Sequence, residues 1–129
     1  VREAAPDEPF RAPPLDVVRV GFVGVGLQGG SHVRNFLKLD GVEIVSLCDI
    51  DEVRLEEVAG WVAEDGRPRP RLYGRTDTDF VRMCETEDLD LVFTATPWEW
   101  HVPVCVAAME NGKHAATEVP AAYTLEDCW

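Results

Sequence analysis

Apolar and β-branched residues run almost unbroken through VVRVGFVGV at 17–25. That is the pattern of a strand buried on both faces. The run passes into GLQGG and then into a helical stretch with Val33, Phe36 and Leu37 on one face; Gly41 is read as its stop. VEIVSLCD at 42–49 is a second strand. Asp51 and Glu52 suit a helix N-terminus, and Leu55, Val58, Ala59 and Val62 follow at helical spacing. A turn at EDGRPRP leads to a short third strand at 70–74 and a short helix at 77–85. LDLVFTAT at 89–96 is a fourth strand. A helix at 101–111 tolerates Pro103 in its first turn and stops at Gly112. KHAATEV at 113–119 is a fifth strand, and 124–129 reads as the start of another helix capped by Thr124.

Strands thus alternate with helices throughout. The expected fold class is α/β: a Rossmann-type parallel sheet with helices on both faces, truncated after its fifth strand, where a full sheet carries a sixth. Residues 1–15, charged and proline-rich, are expected to be an extended arm, and 16–129 the nucleotide-binding domain, without the substrate domain that would follow. A missing strand leaves a sheet edge and an apolar face uncovered. Homo-oligomerisation, or association with the remainder of the protein, is therefore expected.

Composition narrows the partners. The chain has 129 residues, one domain's worth, and 46% are apolar, enough for a core. Its formal net charge of −12 disfavours nucleic acid and anionic membrane surfaces. No apolar run is long enough to span a bilayer. No signal peptide is visible and the first residue is Val1, so the N-terminus leaves cytoplasmic and exported settings both open. Cys48, Cys84, Cys105 and Cys128 are widely spaced and are expected to be buried free thiols, with no metal site.

Gly24-Val25-Gly26-Leu27-Gln28-Gly29 is a G-x-G-x-x-G between a buried strand and a helix, the context that gives this motif meaning. Gly24 permits the tight turn, Gly26 lets a pyrophosphate approach the backbone, and Gly29 lets helix and sheet pack closely. The anion then meets N–H groups at the helix N-terminus, with Leu27 and Gln28 at closest approach. Asp49 closes the second strand, 25 positions after Gly24, a spacing suited to the acid that binds the adenosine ribose. A carboxylate there repels a 2′-phosphate, and the nearest arginine, Arg54, lies a turn into the helix, so NAD is expected over NADP.

Two more segments end strands on the side where such sheets bind ligands. Thr96-Pro97-Trp98-Glu99-Trp100-His101 offers two aromatic faces for a nicotinamide or ribose and a histidine for a hydroxyl. The alternatives are packing in the core or on a missing domain for Trp98 and Trp100 and a helix cap for His101. Glu118, with Val119, is placed beside the nicotinamide ribose, the alternative being a surface carboxylate. His32, His114 and Lys113 are read as structural or solvated. No catalytic residue is assigned.

Taken together, GVGLQGG, CDID, ATPWEWH, AAMENGKH and EVP resemble the glucose–fructose oxidoreductase and inositol dehydrogenase family (Gfo/Idh/MocA) over roughly 17–129. The resemblance implies a missing C-terminal domain that binds a sugar. Common dehydrogenases of the family carry Glu-Lys-Pro after the fifth strand, the lysine assisting hydride transfer; this chain has Val119 at the lysine's place. PWEWH, EVP and TLEDCW look closer to glycoside hydrolase family 109, similar to α-N-acetylgalactosaminidases that retain NAD. That resemblance implies cofactor contacts at Leu27, Gln28, Asp49, Trp98 to His101, Glu118 and Val119. It also implies a redox-neutral route: hydride leaves the sugar C3, the C2 proton becomes acidic, the C1 group is eliminated, water adds and the hydride returns. A sugar or polyol dehydrogenase is the alternative activity, and a non-catalytic NAD-binding module is the other reading.

Overall fold

The computed structural model describes residues 12–129, so the arm expected at 1–15 lies, over 1–11, outside the described residues. Five strands form one sheet: β1 (Val18–Val23), β2 (Val42–Cys48), β3 (Arg71–Tyr73), β4 (Leu91–Thr94) and β5 (His114–Thr117). All neighbouring pairs are parallel and the order is β3-β2-β1-β4-β5. The sheet is thus wound outward in both directions from β1, and β1 and β4 sit side by side where the winding reverses. Their carboxyl ends diverge into a crevice, the place where open α/β sheets receive ligands.

Helices cover both faces. The first, α1 (Leu27–Phe36), and the second, α2 (Glu52–Glu64), lie on one side. There Val33, Leu55, Val58, Ala59 and Val62 pack on Val20, Phe22, Ile44 and Leu47, all nearly or fully buried. Phe22 meets Phe36 and Phe93 at ring separations of 5.2 and 5.8 Å. The third, α3 (Asp79–Thr86), and the fourth, α4 (His101–Glu110), cover the other face. Phe80, Met83, Cys84, Val104, Ala107 and Ala108 there meet Val23, Cys48, Tyr73 and Val92. β1 feeds both clusters, which is why its sequence shows no polar alternation.

Several boundaries differ from the sequence reading. α1 ends at Phe36, and successive turns (Lys38 N–H to Asn35 O, 3.1 Å; Leu39 N–H to Phe36 O, 3.0 Å) carry the chain onward. Gly41 is not its stop. At φ +70° it closes the turn into β2, and its carbonyl accepts the Val18 N–H at 2.8 Å. β4 is only Leu91–Thr94 because its pairing partner on β1 ends at Val23; Ala95 and Thr96 leave the sheet for the crevice. The helix start expected at 124 is a 3₁₀ turn, Glu126–Cys128. Thr124 does cap it: its hydroxyl accepts the Asp127 N–H at 3.2 Å, and the Asp127 carboxylate accepts the Thr124 N–H at 3.0 Å. Of the cysteines, Cys48 and Cys84 are buried as expected, but Cys105 is half-buried and Cys128 exposed. Among the described residues no helix is long and apolar enough to cross a membrane.

Candidate functional site

β1 ends at Val23, and the next three residues turn the chain sharply into α1. Gly24 has φ +81°, and a Cβ there would sit 2.8 Å from the Ala95 carbonyl carbon. A Cβ on Gly29 would lie 1.8 Å from the Gly24 carbonyl oxygen, so α1 packs closer to the strand end than any side chain permits. Gly26 is the opposite case: a Cβ there meets nothing within 4 Å. Its missing side chain is therefore not required by the protein's own packing. The space in front of it is open, and the first-turn N–H groups of α1 have no carbonyl partner within their helix. Open space beside such amides is an anion cradle.

Gly24 and Gly26 line a cavity of about 220 Å³ together with Asp49, Ile50, Thr76, Asp77, Phe80, Thr96 and Trp100. The Asp49 carboxylate is fixed at both oxygens, accepting the Val25 N–H at 2.8 Å and the Asp51 N–H at 3.0 Å. Each oxygen keeps further acceptor capacity for a ligand hydroxyl. Capping of α2 falls to Asp51, which accepts the Arg54 N–H at 3.1 Å. Below the cavity, Asp79 is buried and anchors the β3–α3 loop. Its carboxylate accepts from the Arg75 N–H at 3.0 Å and twice from Arg82 at 2.8 Å. The Arg82 hydrogen bonds, outweighing burial, hold its carboxyl down at about 2.

A second cavity, about 180 Å³, shares Ala95 and Thr96 with the first and adds Gln28, Trp98, His101, Glu118 and Val119. The sequence segments at the ends of β4 and β5 are thus brought to the same opening as the glycine loop. Glu118 is not a bare surface carboxylate. It accepts from Gln28 Nε2 at 3.3 Å and pairs closely with His32 Nε2. His32 first, then Gln28, hold its carboxyl below the ordinary carboxylate range.

The tryptophans divide. Trp98 is 56% exposed, 6.3 Å from the Tyr123 ring. Trp100 packs edge-on against Phe80 at 5.9 Å and joins the α3–α4 core. Glu99 is exposed. His101 is 1% exposed, and both ring nitrogens face backbone carbonyls, Pro120 O at 2.7 Å and Thr96 O at 2.9 Å. Its imidazole ties the strand-end loops of β4 and β5 together. A neutral imidazole has a single N–H to donate, so it holds one of these two carbonyls, and the residue also borders the second cavity.

Sequence reasoning assigns no binding role at this site to His32 or Arg54. The sequence reads His32 as structural, on the polar face of α1; it is half-buried, its ring tilted by 41° against Phe93 at 4.6 Å, and it is paired with Glu118. The signal that was available is its i, i+4 spacing from Gln28, which puts both on one face of α1. Arg54 turns back to the glycine loop, donating to Val25 O at 2.8 Å and Gly26 O at 2.9 Å. No short-range pattern announces that contact.

The chain is 45% identical over 118 residues to a glycosyl hydrolase family 109 protein of Shewanella sp. (strain W3-18-1), covering 92% of this chain and 26% of that protein. It is 43% identical, with the same coverage, to the α-N-acetylgalactosaminidase of Shewanella oneidensis. The chain therefore spans about a quarter of the length of these relatives. Among solved structures it is similar to the myo-inositol dehydrogenase of Lactobacillus casei in complex with NAD(H) and myo-inositol. The TM-score is 0.73 at 29% identity, over 86% of this chain and 31% of that one. It is also similar to the WlbA dehydrogenase of Chromobacterium violaceum in complex with NADH and UDP-GlcNAcA, with TM-score 0.72 at 29% identity, over 92% of this chain and 32% of that one. The oxidoreductase family with an NAD-binding Rossmann fold, Gfo/Idh/MocA, matches residues 18–129. The chain belongs to that family as an NAD-binding Rossmann domain.

Proposed function

We propose that residues 16–129 are the cofactor domain of an NAD-dependent glycoside hydrolase whose sugar-binding domain follows in the complete protein. The observation that carries this reading is Val119. It stands 82% exposed beside Glu118 at the second cavity, at the position where common dehydrogenases of the family place a lysine. Valine neither gives nor takes a proton, so net alcohol oxidation has no proton acceptor there. The kinship with proteins named glycosyl hydrolase family 109 and α-N-acetylgalactosaminidase points the same way.

The residues fit the cofactor. Gly24, Gly26, Leu27, Gln28 and Gly29 form the cradle for its pyrophosphate, with room left open at Gly26. Asp49 accepts the adenosine ribose hydroxyls and repels a 2′-phosphate. Thr96 lines both cavities, Trp100 the first, and Trp98 and His101 the second, with exposed Glu99 between the two tryptophans in sequence; these residues take the nicotinamide and its ribose. Glu118 and Val119 border the nicotinamide end. When bound, NAD supplies a reversible hydride acceptor, and no pair of flanking carboxylates is required of a glycosidase that uses it. This chain's own part is to bind, orient and retain the cofactor; the proton-transfer groups belong to the domain that follows.

A dehydrogenase acting on a sugar or polyol is the second reading, favoured by the likeness to solved inositol and nucleotide-sugar dehydrogenases. One experiment separates the two. The complete protein is incubated with aryl α-N-acetylgalactosaminides, and released phenol and NADH are followed together. Phenol release without NADH accumulation, from protein whose denaturation liberates about one NAD per chain, supports the hydrolase. NADH accumulation without glycoside cleavage overturns it in favour of the dehydrogenase.

A further inference from the structure

We propose that Arg54 is a positioning residue for the dinucleotide: it aims the loop amides that meet the pyrophosphate. The inference rests on NAD binding at the glycine loop. Arg54 lies in the first turn of α2, where its own N–H is fixed by the Asp51 cap. Its guanidinium crosses to the loop before α1, with Nε on Val25 O at 2.8 Å and Nη2 on Gly26 O at 2.9 Å. The third nitrogen, Nη1, is held by Glu57 at 2.7 Å. All three nitrogens of a planar fork are thereby committed, which leaves the group little freedom to turn.

The consequence follows from peptide geometry. In a planar trans peptide the C=O and the following N–H point in opposite directions. Holding Val25 O against Arg54 therefore aims the Gly26 N–H away from α2, while Gly26 O, which also accepts the Gly30 N–H at 2.9 Å, is held jointly by Arg54 and α1 and fixes the Leu27 N–H. Gly26 itself leaves open space where a side chain would stand. The preceding peptide is fixed separately, its Val25 N–H on the Asp49 carboxylate at 2.8 Å. The segment from β2 into α2 thus grips the loop at one N–H and two carbonyls, and Arg54 supplies both carbonyl contacts.

Gly30 adds an independent observation. It stands one place beyond the phosphate-binding motif, which does not need it. A Cβ at Gly30 would lie 2.5 Å from Arg54 Nη2 and 3.2 Å from the Trp61 ring. Trp61 covers the guanidinium at 4.9 Å, so the absent side chain at 30 is what lets the arginine reach the loop beneath it. The same engagement keeps Arg54 away from any 2′-phosphate near Asp49.

The test is a calorimetric titration of the complete protein, wild type, Arg54→Met, Arg54→Lys and Gly30→Ala, with NAD, ADP-ribose and adenosine. Arg54→Met is expected to weaken NAD and ADP-ribose about tenfold, while adenosine, which has no pyrophosphate, stays within about twofold. Arg54→Lys restores charge but cannot span two carbonyls, and is expected to recover only part of the loss. Gly30→Ala displaces the far end of the Arg54 side chain and requires the Trp61 ring to give by a few tenths of an ångström, so the fold, checked by the melting temperature, is expected to survive and binding to repeat the Arg54→Met pattern. The proposal is overturned if Arg54→Met and Gly30→Ala bind ADP-ribose like wild type. It is equally overturned if all three ligands weaken alike, or if Arg54→Lys restores wild-type affinity and so reduces the role to charge. Wild-type protein that binds neither NAD nor ADP-ribose overturns the cofactor reading itself.

Discussion

The imidazole of His32, in α1, pairs with the carboxylate of Glu118, 86 positions later at the end of β5. The two elements flank the second cavity, and Gln28, one helical turn before His32, reaches the same carboxylate. Replacing His32 by Leu keeps the stacking volume against Phe93 but removes the partner that does most to hold Glu118 ionised. NAD affinity is expected to fall by about threefold to tenfold, and His32→Asn, which retains a donor, to recover part of it. Unchanged affinity in His32→Leu, with the cofactor-free melting temperature also unchanged, would show that Glu118 needs no such support.

The second and third glycines of the loop separate folding from binding. Gly29→Ala drives a methyl into the Gly24 carbonyl, so it is expected to destabilise the domain by about 2 kcal/mol or more. Gly26→Ala meets no protein atom within 4 Å; the fold is expected to survive within about 1 kcal/mol while NAD binding is lost. Thermal melts with and without NAD check both. Retention of NAD binding by Gly26→Ala would move the pyrophosphate elsewhere.

Acid stability is expected to depend on Asp79. Its carboxyl is held at about 2, below its ordinary 3.8, by Arg82 foremost and by the Arg75 amide. The native state thus favours the ionised form. The contribution is complete above pH 3.8 and is lost as pH falls through about 2. Asp79→Asn is expected to remove about 2 kcal/mol at neutral pH and to lose little further between those values. Chemical denaturation across that acid range measures it; parallel wild-type and variant curves would refute the assignment.

Thiol chemistry should sort the four cysteines by burial. Burial pushes Cys48 up to about 12 and Cys84 to about 11, and raises Cys105 as well. Cys128 is exposed. A chromogenic disulfide reagent at neutral pH is expected to modify Cys128 first and Cys105 slowly, leaving Cys48 and Cys84 inert until denaturant is added. Fast reaction of all four would place the α3–α4 face in contact with solvent.

What the sequence determined by itself was local. The unbroken apolar run at 17–25, the helical spacing from Leu55 to Val62 and the short span from Gly24 to Gly29 all report on residues within a few turns or strand lengths of one another. Periodicity and turn chemistry therefore suffice to set the order of elements, the α/β class and the glycine loop, and the distance from Gly24 to Asp49 is short enough to read as one β-α-β unit. Boundaries shifted where a partner, not the run itself, ends the element: β4 stops at Thr94 because β1 stops at Val23.

Only the tertiary structure decided which distant side chains meet. Placing β4 and β5 beyond β1 brings Glu118 to Gln28 and His32, and aligns Thr96 and Pro120 on the two sides of His101. It also turns Arg54 back onto the loop before α1. Such contacts depend on strand order and register, which depend in turn on how both faces of the sheet bury their helices. Local sequence puts Gln28 and His32 on one face of α1, but it carries no record that Glu118 meets them or that Arg54 reaches the loop.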